Sequence, residues 1–142
     1  MKESLVKWTG GMSFAATSDT GHTIVMDARS EVGGEDKGPR PTDLILAAWG
    51  GCTGMDVISI LKKQRYAVER LEVAVEADSA AEHPRSFTDF RMVYRLWGDV
   101  PADKFQRAVE LSQTTYCSVG GLLKKGATVG YRLELNGERL DS

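Results

Sequence analysis

Three features of the sequence predict an α+β fold with antiparallel sheets and a long buried central helix. Segments with strand-like alternation come in blocks rather than alternating singly with helices, which disfavours a parallel doubly wound sheet. One apolar run, "PTDLILAAWGGCTGMDVISILKK", is long enough for a central helix. A second helical pattern, "PADKFQRAVELSQTTY", lies between the last two strand segments.

The elements follow in order. "SLVKWTG", "MSFAATS" and "HTIVMDA" are short, partly β-branched or aromatic, and separated by Gly-Gly and "SDTG", so they predict an antiparallel meander. Residues Arg29 to Pro41, "RSEVGGEDKGPRP", mix glycine, proline and charge without periodicity and predict a surface loop. Pro41 suits the first turn of a helix, and Thr42 or Asp43 can meet its free N–H groups. Lys62, Lys63 and Arg65 favour its other end. About 23 residues at 1.5 Å each make a rod of roughly 35 Å. Its first half is apolar on nearly every side and is expected to be buried. "VERLEVAVEAD" and "SFTDFRMVYRLWGD" read as two strands joined through "SAAEHPR". Pro101 opens the second helix, whose core stripe is Phe105, Val109 and Leu111 or Ser112. "SVGGLLKKG" is a short helix or turn, and "TVGYRLELNG" closes as a strand. The order is β-β-β, helix, β-β, helix, β.

A single domain over residues 1–142 fits this length. A helix apolar all round needs more cover than so few elements supply, which predicts a homodimer with two such helices side by side. Gly50, Gly51 and Gly54 would allow the approach. Apolar residues make up 42% and charged residues 27%, an ordinary globular balance. The net charge of -2 and a pI near 5.7, with no basic stripe, argue against nucleic acid. "MKESLVKWTGG" lacks a signal-peptide core, and the most apolar window, Leu44 to Gly54, is interrupted by Asp56 and Ser59 before it reaches membrane-spanning length. A cytoplasmic protein that does not engage a membrane is expected. Two cysteines in a reducing compartment are then free thiols or a transient redox couple.

Cys52 lies too deep in its helix for the dipole to activate it. A free thiol is only a few per cent thiolate at neutral pH, so a reactive Cys52 needs a cation. Arg29 and Arg40 in the preceding loop are the candidates, with Asp43, Glu31, Glu35 and Asp36 available to aim a guanidinium. Asp56, one turn beyond, would oppose a thiolate. Cys117 stands between two helical segments, where N–H groups of "SVGG" can point at its sulfur, a setting suited to a resolving thiol. A disulfide between them requires Cα atoms within about 7 Å. By composition alone a cysteine on a buried helix reads as core rather than as a reactive thiol. Two Cys with His22 and His83, none at finger spacing, do not make a zinc site. The sequence carries no dinucleotide or Walker pattern and no cofactor is expected. Lys124 and Lys125 read as a solvated face.

"GPRPTDLILAAWGGCTGMDVISILKK", "AEHPRSFTDFRMVYRLWG" and "AVELSQTTYCSVGGLLKKGATVGYRLEL" together resemble the OsmC/Ohr family of osmotically inducible and organic-hydroperoxide-resistance proteins. The resemblance implies an intertwined homodimer and a thiol-dependent peroxidase with Cys52 as peroxidatic and Cys117 as resolving cysteine. It also implies organic hydroperoxide substrates and reduction by a dithiol, lipoylated proteins being preferred in one group. The peroxidase members hold the thiolate with an arginine and a glutamate. The glutamate's position is Thr42 here, with Asp43 one step later and one methylene shorter. "CSVGG" also stands where better-known members have proline after the cysteine. Two other classes therefore remain open: a thiol-containing small-ligand binding protein of the same fold, and a different thiol enzyme such as a disulfide reductase or hydrolase.

Overall fold

The computed structural model describes residues 1–140. The chain divides into two units, Met1–Ile45 and Leu46–Ser142, with the boundary inside its longest helix.

In the first unit, β1 (Ser4–Gly10), β2 (Ser13–Ser18) and β3 (Thr23–Met26) form the expected antiparallel meander in the order β1-β2-β3. Gly10 and Gly11 make the first turn with φ of 113° and 53°, a region that side-chain-bearing residues avoid. The loop that follows holds one 3-10 turn, Ser30–Val32, and ends at Pro41, where α1 (Pro41–Lys63) begins. The observed ends of α1 coincide with its sequence signals, proline at the start and two lysines at the finish.

The second unit contains the rest of α1, then β4 (Ala67–Ser79), β5 (Phe87–Asp99), α2 (Ala102–Leu111), a five-residue π-turn (Ser112–Tyr116), α3 (Ser118–Leu123), β6 (Thr128–Leu135) and β7 (Glu138–Leu140). The sheet order is β4-β5-β6-β7. Here the expectation of antiparallel sheets is corrected at one pairing. β5 and β6 run parallel, from Asp89 opposite Thr128 to Leu96 opposite Leu135. The helical connection between them makes the crossover that parallel strands require.

One core fills this unit. Trp49, Val57 and Leu61 of α1 join Phe90, Met92, Tyr94 and Leu96 of β5, and Phe105, Ala108 and Val109 of α2. Trp49 meets Phe90 edge-on with ring centroids 4.7 Å apart. Truncating Leu61 to alanine should cost about 2–5 kcal/mol. Gly50 lets α1 approach β4 closely, since a Cβ there would sit 3.3 Å from Val75.

The expectation that α1 is buried nearly all round is not met within one chain. Its buried residues are Trp49, Thr53, Val57 and Leu61, a single stripe at four-residue spacing, while Met55 is 74% exposed. A shallow groove of about 640 Å³ runs over Gly50, Gly51, Gly54, Met55 and Ile58 to Val73 and Val75 of β4. By length and composition α1 is apolar enough to cross a bilayer despite Asp56, so that residue interrupts the run less than the sequence reading assumed. Its buried stripe, however, belongs to the core just described.

Candidate active site

Both cysteines are free thiols, Cys52 half-buried and Cys117 7% exposed. Cys52 stands on α1 and packs on the core that includes Cys117. Cys117 follows the π-turn and caps α3, its Sγ accepting the N–H of Gly120 at 3.3 Å. The N–H contact expected from "SVGG" is therefore present. It does not dominate the electrostatics. Burial pushes the Cys117 thiol up to about 11, against the pull of the Gly120 N–H, and the neighbouring Cys52 and Asp56 push it the same way as burial. At neutral pH Cys117 is a thiol beside Cys52.

A chain of side chains, buried except for the half-buried Asp56, links α1 and β5 to the segment before Cys117. The Ser112 hydroxyl donates to Asp56 Oδ2 at 2.8 Å, and its oxygen lies 2.6 Å from Thr53 Oγ1. Thr53 Oγ1 lies 2.7 Å from the Tyr94 hydroxyl, to which Gln113 Nε2 donates at 2.6 Å. The proton positions follow from valence. Ser112 gives its single proton to a carboxylate, so it accepts from Thr53; Thr53 then accepts from Tyr94, and Tyr94 from Gln113. All donors run one way, from Gln113 to Asp56, an arrangement in which each bond polarises the next. Burial pushes Tyr94 up to about 12, so the phenol keeps the proton this order needs.

The segment is pinned at two further points. The N–H of Cys117 donates to the Ser112 carbonyl at 3.0 Å. Lys124, expected on a solvated face, donates its ammonium to the Gln113 carbonyl. On the far side of Cys117, a Cβ on Gly120 would meet Trp49 Nε1 at 2.8 Å, so only glycine lets α3 sit against that indole. Trp49 Nε1 and Gln113 Oε1 are buried without a hydrogen-bond partner among the described residues. Beside Asp56 a groove of about 520 Å³ is bordered by Ile60, Lys63, Leu111 and Tyr116.

Arg29, Arg40 and Asp43 belong to the first unit, the two arginines in its loop and Asp43 in the first turn of α1. Asp27 organises that loop: 3% exposed, it accepts the N–H groups of Ala28, Glu35 and Lys37 at 2.7, 3.2 and 3.2 Å. These bonds, that of Ala28 foremost, hold its carboxyl below the usual carboxylate range. The Arg29 carbonyl accepts Val32 and Gly34, and its side chain makes no hydrogen bond among the described residues. Arg40 donates through one nitrogen to Asp36 at 2.6 Å and to the Gly38 carbonyl at 3.0 Å, so it is held by a single carboxylate oxygen. Asp43, in the first turn of α1, accepts the Arg40 N–H at 3.0 Å while its own N–H donates to the Arg40 carbonyl, the reach-back bond of a capping box.

The OsmC-like protein family profile matches residues 34–132. The chain belongs to the OsmC/Ohr family. This OsmC-like chain is 37% identical over 134 residues to the protein YhfA of Escherichia coli (strain K12), covering 94% of this chain and 97% of that one. A crystal structure of a hypothetical protein from Aquifex aeolicus VF5 superposes with a TM-score of 0.80 at 27% identity, covering 95% and 97% of the two chains. An organic hydroperoxide resistance protein from Elizabethkingia anophelis shares the fold, with a TM-score of 0.72 at 16% identity and 96% of each chain covered. The α+β class and the family resemblance are borne out, and the adjacent cysteines fit the redox chemistry of an OsmC family member.

Sequence reasoning missed most of the chain of hydroxyls. Ser112 is one alternative on the core stripe of the second helical pattern, while Thr53, a polar residue amid apolar neighbours, is a signal left unused. Tyr94 and Gln113 gave no signal that would pair them with either.

Proposed function

We propose that this chain, as one OsmC-like domain, is a thiol-dependent peroxidase that reduces organic hydroperoxides in oxidative or osmotic stress defence. The observation that carries the reading is a buried, protonated Cys117 beside a more accessible Cys52 on a helix. As thiolate, Cys52 attacks the O–O bond; the alkoxide leaves, takes a proton and departs as the alcohol, while Cys52 becomes a sulfenic acid. Cys117 loses its proton and attacks that sulfur, forming the Cys52–Cys117 disulfide and releasing water. An external dithiol, such as a lipoylated protein, returns both thiols. Arg40 or Arg29 supplies the cation that favours the Cys52 thiolate, and Asp43 holds the loop at the start of α1. A homodimer in the cytoplasm completes the reading, with a second copy covering the groove over Gly50, Gly51 and Met55. The apolar edge of the groove at Ile60, Leu111 and Tyr116 suits the tail of an organic hydroperoxide.

Thr42 at the glutamate's position favours a second reading, a thiol-containing protein that binds a small apolar ligand without turning it over. Stopped-flow consumption of cumene hydroperoxide against hydrogen peroxide separates the two. The peroxidase reading expects fast, organic-selective oxidation that disappears in Cys52→Ser, and a persistent sulfenic acid in Cys117→Ser. Oxidation no faster than that of an ordinary exposed thiol leaves the binding protein.

A further inference from the structure

Three residues of α1 flank Cys52 on the side that meets the Cys117 segment: Trp49 three positions before it, Thr53 next to it and Asp56 one turn after. Each has a partner on the stretch that carries Cys117. Trp49 abuts Gly120, three residues past the cysteine. Thr53 and Asp56 both bond the hydroxyl of Ser112, five residues before it. Ser112 differs from the other contacts because it acts through both its hydroxyl and its carbonyl. Its hydroxyl is fixed by α1, and its carbonyl accepts the N–H of Cys117 itself. Between these anchors the backbone is a π-turn, a wider coil than the α-helix before it and a feature common at functional sites. The hydroxyls of Ser112 and Thr53 are both fully buried, so losing the first leaves Thr53 short of a partner rather than rehydrated.

We propose that Ser112 is a positioning residue for disulfide formation, linking the helix of Cys52 to the backbone of Cys117 and thereby setting how readily the two sulfurs join. Thr53 is its counterpart on α1. The inference rests on the thiol-redox reading above. Its substance is that the hydroxyl chain, with no atom in the reaction, governs the equilibrium Cys52-SH + Cys117-SH + GSSG ⇌ Cys52–Cys117 disulfide + 2 GSH.

That equilibrium is measured in glutathione redox buffers by acid quench, alkylation and intact mass, without peroxide. Ser112→Ala and Thr53→Val should each lower the equilibrium constant about tenfold, equivalent to a potential about 30 mV less negative. Thr53→Ser, which restores a hydroxyl, should stay within about twofold of wild type. Leu61→Ala, a cavity in the same core near the far end of α1 and outside the chain of hydroxyls, should lower the melting temperature and leave the constant unchanged. Two results overturn the proposal while leaving the thiol reading standing: unchanged constants in both Ser112→Ala and Thr53→Val, or an equal loss in Leu61→Ala. If the wild type forms no Cys52–Cys117 disulfide at any glutathione ratio, the redox reading and the inference fall together.

Discussion

The segment around Cys117 and the loop around Arg40 are held in opposite ways. Cys117 sits among buried partners: Ser112 and Gly120 before and after it, Thr53 and Trp49 behind them, every contact made by groups shut away from water. Arg40 is held through one nitrogen by Asp36, whose side chain is 68% exposed. Buried hydroxyl bonds resist change because breaking one strands its partner, whereas an exposed ion pair exchanges with water at little cost. The thiol pair is thus fixed by the core of the second unit, and the candidate cation by a surface loop of the first. A peroxidase divided this way would keep its resolving geometry under wide variation of the loop.

The largest effect should come from the sulfur itself. Cys52→Ser is expected to reduce peroxide consumption to the rate of protein-free buffer, measured by loss of cumene hydroperoxide. Cys117→Ser should still react once per chain and then stall as sulfenic acid, trapped by dimedone and weighed. Retained turnover in Cys52→Ser would move the chemistry away from α1 altogether.

Next in size is Gly120→Ala. The new methyl would lie 2.8 Å from Trp49 Nε1, and the indole is packed edge-on against Phe90, so it has nowhere to go. A loss of about 1–3 kcal/mol is expected in chemical denaturation. At Gly121, one position along, a Cβ would meet nothing within 4 Å, and alanine there should be neutral or slightly stabilising. Equal losses at both sites would mean that the close approach to Trp49 is not what demands glycine.

The extent to which the sequence foretold these features follows the range of the interactions. The ends of α1, strands β1 to β6 and the helix–cysteine–helix arrangement at Cys117 rest on local signals such as Pro41, Lys62, Lys63 and the alternation in β4 and β5, and these were legible, whereas the three-residue β7 is too short to carry an alternation. The parallel pairing of β5 with β6 was not, because strand partners are chosen by the whole chain. Within one chain α1 buries a single stripe, because an apolar face states a need for cover without saying which chain supplies it. The hydroxyl chain joins Thr53, Tyr94 and Ser112 across three elements, so no spacing rule could place them together. Asp27 read as the end of a strand, although its carboxylate gathers the loop that carries Arg29.

The pH dependence sharpens the comparison from the buried side. Cys117 ionises in the folded protein at about 11, raised by burial from an ordinary value near 9.0. A thiol whose folded value is raised holds its proton more tightly when native, so the unfolded chain binds fewer protons between those values. Stability from this group is fully present below about pH 9 and is lost as pH rises toward about 11. The melting temperature of the reduced protein should therefore fall across that window, and Cys117→Ser should flatten the decline. A slope unchanged by the substitution would assign it to another group.

The smallest effect on stability should lie in the loop. Arg40→Gln removes the contact to Asp36, and an exposed pair of that kind contributes about 0–1 kcal/mol, so the melting temperature should barely move. Its value is in the rate of Cys52 oxidation. If Arg40 supplies the cation, Arg40→Gln slows oxidation by hydroperoxide at fixed pH while Arg29→Gln does not; if Arg29 does, the order reverses. Arg40→Lys keeps the charge but loses the planar fork, so it should recover part of the rate if charge near the sulfur matters and none if the geometry of the guanidinium is required. Should both glutamine variants oxidise at the wild-type rate, the activating group lies outside this loop, and the division between a fixed thiol pair and a movable cation would have to be redrawn.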